Sequence, residues 1–471
     1  MTQVAGDLIG ELRADMDGPV IVADDAGFDE ARRVWNAGIN RYPAAIARCE
    51  SAADVAAAVT FARSQGLDIS VRGGAHNTAG TAVCDDGLMV DLTSMNTVTV
   101  DPEARRATVG GGALLSDLDA AAQAYGLAVP AGLISHTGVG GLTLGGGMGW
   151  LTRRFGLSID NLVSAEVVTA AGDILRASDD EHPDLFWAIR GGGGNFGVVT
   201  SFEFRLHDVD PMVDLGMFFW PLEQGAEALR VARDVVAGMP DDINAVVGAI
   251  NAPPAPFVPE QYHFAPGYVL LLTGFGSAGE ANTGHADIVA DIRRRLPPLF
   301  DLVTPLPYVS LQQLLDEASA WGSYAYEKGT YVEDLSDDVI EILTTHIPRK
   351  TSPMSMVLLY RLDGAYSEVG DDATAFSGGR SPRFDVFIIG FAPDAAGLNG
   401  EQRWVADLWE ALRPQAVGSG DGYVNGTSDY HGDRVRGSYG PRKYERLAGI
   451  KAKYDPDNLF HVNANIVPAG Q

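Results

Sequence analysis

Residues 71–80 read VRGGAHNTAG and set one histidine, His76, behind Arg72, Gly73, Gly74 and Ala75, where almost no side chain competes for space. An imidazole in such a loop can bond a group lying flat against bare backbone. Two more glycine clusters follow, SHTGVGGLTLGGGMG at 135–149 and RGGGGNFGVV at 190–199. Glycine puts no Cβ between backbone N–H groups and a ligand, and successive N–H groups in such turns form nests for anions, typically phosphate. One cluster reads equally well as a tight turn; three in the first 200 residues call for a common cause. The familiar phosphate loops do not fit. GVGGLTL carries Thr143 where a dinucleotide fingerprint needs glycine, no strand leads directly into it, and no Gly-Lys-Ser/Thr occurs anywhere.

The elements that must position these loops follow from periodicity. Ser51 and Asp54 stand in capping-box spacing ahead of a helix at 51–66, with Val55, Val59 and Ala62 on one face. LDISVR (67–72) alternates as a strand and delivers the His76 loop; 87–92, 97–100 and 105–112 read as further strands. Residues 113–126 form a helix stopped by Gly126, 166–178 a hairpin turning at Ala171-Gly172, and 183–206 a helix, a glycine run and a strand. Beyond about residue 207 the glycine clusters cease. Alternating strands at 268–275, 354–362 and 383–391 then appear between helices such as 283–296 and 310–319, as in a second α+β unit on an antiparallel sheet.

Composition narrows the function classes. A net charge of −28 argues against nucleic-acid backbones. Of 34 basic residues only five are lysine, leaving 29 arginines. Cys49 and Cys84 make no disulfide framework, and nine scattered histidines without H-E-x-x-H spacing make no zinc site. The acidic segment MTQVAGDLIGELRADMDG lacks a basic, apolar leader, and no window nears the roughly 18 apolar residues of a membrane span. The expectation is a cytoplasmic protein with a small-molecule partner, no nucleic acid, no membrane and no metal; its oligomeric state is open.

Four ordered motifs carry a resemblance over nearly the whole chain: VRGGAHNTAG, SHTGVGGLTLGGGMGWLTRRFGLSIDNL (135–162), FWAIRGGGGNFGVVTSFEF (186–204) and the tail YERLAGIKAKYDPDNLF.VNANI. The sequence resembles the berberine-bridge-enzyme-like FAD oxidases of the vanillyl-alcohol-oxidase and p-cresol-methylhydroxylase (PCMH) superfamily. That resemblance implies a two-domain α+β, PCMH-type fold. Residues 1–206 with 418–471 would bind FAD, and 207–417 would bind substrate on an antiparallel sheet. It implies that His76 bonds the flavin 8α-methyl. Around the cofactor it places Arg72, Gly73, Gly74, Ala75, Asn77 and Gly80 from the first loop, and His136, Thr137, Gly138, Gly140, Gly141, Gly145 and Gly147 from the second. Gly194, Gly197 and Val199 would join from the third, and Tyr423, Asn425, Asn463 and Asn465 from near the C-terminus. Ala75 replaces the family's third glycine. Ile134 stands where many members carry a second flavin-bonding cysteine, so one covalent link is implied.

The same resemblance assigns catalytic parts. Tyr423 and Asn425 are similar to the family's Tyr-x-Asn element beside the flavin, with Tyr423 the first choice for base or proton relay. A free phenol has a pKa of about 10, so this role needs a positive neighbour. Lys328 in YAYEKGTY is the lysine that would supply it, with Tyr326 on the same strand face. Arg361 and Asp385 are candidate substrate contacts. Thr137 falls where relatives gate oxygen, Val accompanying oxidases and Leu dehydrogenases; its Val-like volume implies an open gate. The implied activity is oxidation of a small alcohol, sugar, amine or natural product by hydride removal, with O2 reduced to H2O2. A dehydrogenase with another acceptor, an oxygenating tailoring enzyme, and a flavoprotein that binds without turnover remain alternatives.

Overall fold

The Ser51 side chain accepts the backbone N–H of Asp54 at 3.2 Å, and the helix Ala52–Gln65 runs from there until Gly66 turns left-handed at φ +63°. Its apolar side covers a four-stranded sheet ordered Val20–Ile21, Ala45–Arg48, Leu88–Asp91 and Ile69–Arg72, whose last three strands are parallel. Beside it lies a five-stranded antiparallel sheet ordered Val98–Asp101, Arg106–Gly110, Val198–Arg205, Leu162–Val168 and Ile174–Ser178. The computed structural model describes residues 6–276, 283–418 and 421–471. The first five residues of the acidic N-terminal segment, and Ser419 and Gly420 of the stretch at 418–426, therefore lie outside the described residues. Among the described residues no helix is long and apolar enough to cross a membrane.

The chain between these sheets and its C-terminal segment builds a seven-stranded antiparallel sheet. Its order is Phe300–Pro307, Met212–Pro221, Pro266–Gly274, Ile243–Asn251, Met356–Leu362, Arg383–Ala392 and Tyr324–Val332. Period-two alternation gives the sheet two apolar faces. Val357, Leu359, Val386 and Ile388 pack under the helices Gly225–Gly238, Asp337–His346 and Ala395–Leu412. Their neighbours Leu358 and Phe387 point the other way, toward Leu133 and Trp150 of the second glycine-loop region.

The helix expected at 310–319 is shorter. It spans Tyr308–Gln312, and only a 3-10 turn at Glu317–Ser319 follows. Bonds outside the segment account for the break. Gln312 Nε2 donates to Asp119 and to the carbonyl of Gly132, while Asp316 accepts both the N–H (2.8 Å) and the hydroxyl (2.6 Å) of Ser135. Trp35 Nε1 also donates to Ser319 O at 2.7 Å, so this short stretch ties the sheet region to two loops of the cleft.

The C-terminal segment returns across the molecule on the helix Pro441–Tyr454. Lys451, fully buried, donates to Asn195 O (2.8 Å), Phe460 O (2.8 Å) and Asp455 Oδ2 (2.6 Å). Asp455 in turn accepts the N–H groups of Leu459 and Phe460. One ion pair thus fastens the third glycine loop to the tail. Removing a single partner of such a pair strands a buried charge, so Asp455→Ala should cost about 3–5 kcal/mol in urea denaturation. A loss below about 1 kcal/mol would show the pair to be dispensable.

Candidate functional site

Strand Ile69–Arg72 ends beside bare backbone. A Cβ at Gly74 would overlap the backbone nitrogen of Gly138, and one at Gly138 would overlap that of Gly74, so the first and second glycine loops meet backbone to backbone. Ala75 adopts φ +51°, a left-handed conformation that costs a non-glycine residue roughly 1–2 kcal/mol. This turns His76 into a stack: Trp35 lies on one side (centroids 4.7 Å apart, 23° between planes) and His136 is tilted against it at 4.9 Å. Burial, aided by His136, lowers the His76 pKa to about 3, so the ring is neutral, and its Nε2 is buried without a partner. Asn77 Nδ2 donates to Tyr430 Oη at 2.8 Å and Thr78 Oγ1 to Glu327 Oε2 at 2.7 Å.

His76 opens into a long cleft of about 2090 Å³, its mouth included. One half is walled by the glycine loops, with Gly73, Gly74, Thr137, Gly138, Gly140 and Gly141 in the wall. Gly194, Gly197 and Val199 of the third loop continue it, and Asn463 closes it from the tail. The amide oxygens of Asn463 and Asn465 are buried without partners, although Asn465 stands behind the wall. No lysine or arginine lines the cleft among the described residues.

Tyr423 and Asn425 stand in the wall, and the second loop holds them there. Tyr423 Oη accepts from the N–H of Gly147 (2.9 Å) and from Asn425 Nδ2 (3.0 Å), and Asn425 Nδ2 also donates to Gly141 O at 3.1 Å. A Cβ at Gly145 would run into the Asn425 amide. Gly145 and Gly147 therefore seat this pair and do not line the cleft. Burial pushes the Tyr423 phenol above its ordinary range despite the two donors.

The seven-stranded sheet forms the other half with Met356, Leu358 and Tyr360 from one strand and Phe387, Ile389 and Phe391 from the next. Here the placement of Lys328 is corrected. Lys328 and Tyr326 do share a strand face, and both donate to Asp429, but that face looks away from the cleft and packs Lys328 over the Trp409 ring at 4.7 Å. Lys328 thus gives Tyr423 no positive neighbour, and Tyr326 does not line the pocket. The residue between them, Glu327, does. Burial raises its carboxyl to about 7, although the Thr78 bond opposes the shift.

Asp385 shares the cleft-facing side with Phe387, opposite Tyr360 and Tyr331 in register, with both oxygens buried and unpartnered. Arg361 is taken up by Asp363 at 2.7 Å, away from the wall. Two first-loop residues also fall outside it: Arg72 donates to Ala31 O, and Gly80 forms a left-handed turn at φ +68° against Ile39. Sequence reasoning missed Trp35, Tyr360, Phe387 and Glu327.

The cleft fits FAD. A run of side-chain-free backbone suits a pyrophosphate, the unpartnered oxygen of Asn463 suits a ligand N–H or O–H donor, and the neutral His76, its Nε2 unpartnered, lines the same space. Comparison with known proteins agrees. Residues 43–178 match a family of FAD binding domains and 422–467 match the berberine and berberine-like family. An FAD-linked oxidoreductase of Dictyostelium discoideum is 31% identical over 92% of this chain and 91% of its own length. The (R)-6-hydroxynicotine oxidase of Paenarthrobacter nicotinovorans is 33% identical over 96% and 97%. The crystal structure of 6-hydroxy-D-nicotine oxidase from Arthrobacter nicotinovorans superposes with a TM-score of 0.85 at 32% identity, covering 96% of this chain and 98% of that one.

Glu327 carries a pH signature. An acid whose pKa rises from 4.5 to about 7 on folding keeps its proton in the native state while the unfolded chain loses it. The native state then binds more protons across that window, and stability falls as pH climbs from 4.5 through 7. Between pH 5 and pH 8 the melting temperature should drop further in wild type than in Glu327→Gln. Equal drops would place the Glu327 carboxyl in its ordinary range.

Proposed function

This chain belongs to the berberine-like family of FAD-linked oxidoreductases, and from that membership we propose that it is an oxidase, removing hydride from a small alcohol, sugar, amine or natural product and passing the electrons to O2 as H2O2. The observation that carries the reading is the His76 loop: a neutral, stacked imidazole with an unpartnered nitrogen, set among backbone that no side chain covers. In this reading His76 is bonded to the flavin 8α-methyl, and residues 1–206 with 418–471 form the part that holds FAD. Residues 207–417 supply the substrate wall. Bound FAD supplies a two-electron acceptor for hydride.

The chain's own groups do the rest. Trp35 and His136 fix the His76 ring, and Asn77 ties its loop to Tyr430. Asn425 and the Gly147 N–H orient Tyr423, which relays a proton but lacks the cation a resting phenolate would need. The Glu327 carboxyl, near neutral pKa, is the better final acceptor. Thr137 stands in the wall with a short branched side chain, which leaves room for O2.

Acid-precipitated protein should stay yellow, and His76→Ala should release its flavin to the supernatant; colour lost from wild type would sink the covalent link. Substrate-reduced enzyme should recolour in air within seconds and release peroxide. Thr137→Leu should slow that half-reaction about tenfold, ~1.4 kcal/mol of barrier, while sparing reduction. Reduced wild type that stays bleached in air would replace the oxidase with a dehydrogenase.

A further inference from the structure

The substrate half of the cleft has few ways to hold a polar molecule. Two strands of the seven-stranded sheet give it Met356, Leu358, Phe387, Ile389 and Phe391, and that sheet's polar atoms in the wall are the Tyr360 hydroxyl and the Glu327 carboxyl. Glu327 is 7% exposed, and one of its oxygens accepts from Thr78. Among the described residues no cation answers it from the elements packed around it. Lys328 is bound to Asp429 on the opposite sheet face, and Arg383 donates to Gly378 O and Ser381. The other titratable groups near it, Asp385, Tyr360 and Tyr430, are acids. A second buried carboxyl, Asp385, lies on the same face, and burial pushes it well above the usual carboxylate range.

We propose that the substrate is an amine on an apolar, ring-bearing skeleton, its ammonium seated at Glu327 and its rings against Tyr360, Phe387 and Phe391. This deepens the oxidase reading and rests on it. An oligosaccharide would bring a hydroxyl on nearly every carbon, and those facing the apolar row of the sheet would stay unpaired, at roughly 1–3 kcal/mol each. A neutral alcohol would fit the apolar side and leave Glu327 in its buried, protonated form; an amine entering the cleft takes that proton, the ammonium and carboxylate so formed pair, and aromatic faces attract the same cation. The chemistry balances. Glu327 accepts one ammonium proton, and the freed lone pair becomes the second C–N bond as the adjacent C–H bond breaks. Its hydride, with two electrons, passes to the flavin, and O2 takes the electrons up as peroxide.

Binding tests this without turnover. The flavin-loaded enzyme is titrated anaerobically with phenethylamine and with 2-phenylethanol, a pair of one shape that differs in charge, and the shift in flavin absorbance is read. The amine should bind at least about tenfold more tightly in wild type. Glu327→Gln should erase that preference and Glu327→Asp should keep part of it. A wild-type preference below about twofold, a preference that survives Glu327→Gln, or tighter binding of xylobiose would each overturn the proposal. If Glu327→Gln fails to hold flavin, the wild-type pair decides alone. Peroxide release is scored separately: its absence with the ammonium preference intact counts against the oxidase reading only.

Discussion

Everything in the cleft depends on a contact that side chains would forbid. Gly74 and Gly138 bring two loops together at their backbones, and only that approach lets the His76 turn and the second glycine loop share one wall. The strand Ile69–Arg72 and the helix Val139–Gly145 are fixed by their own sheet and core, so neither can retreat to admit a Cβ. The left-handed Ala75 shows how tightly this turn is specified: the conformation persists even where the residue resists it.

The second governing feature is the parity of the seven-stranded sheet. Each strand offers one row of side chains to helices and one to the cleft, and a single position decides which chemistry a residue enters. Glu327 and Lys328 are neighbours in sequence, yet one faces the cleft and the other is sealed beneath Trp409 with Asp429. Among the described residues the cleft is thereby left with a buried acid and no lysine or arginine to match it. Lys451 and Asp455 hold the opposite end, where the tail meets the third loop.

Much of this was legible in the sequence because its causes are local. Ser51 caps its helix, Gly66 ends it, Ala171-Gly172 turns its hairpin, and clustered glycines marked the backbone-lined half of the cleft. Alternation also showed that Tyr326 and Lys328 share a face. What alternation cannot show is which face a helix will cover, so YAYEKGTY pointed to Lys328 and passed over Glu327. Trp35 lies in a stretch without periodicity, and its value comes from tertiary stacking. The segment 310–319 carries a helical pattern that ends at Gln312, where Gln312 and Asp316 bond to groups outside it, a choice invisible until the second loop is in place.

The Trp35–His76 stack has an optical consequence. Trp35 is 2% exposed, lies flat on the imidazole and meets the edge of Phe391 at 5.9 Å, so its indole sits in a dry, rigid setting that shifts emission to short wavelength. Oxidised flavin absorbs in that region. With the isoalloxazine attached at His76 as proposed, Trp35 would be an energy donor within contact range of its acceptor and would go dark. Loss of its emission would report that the loop is filled.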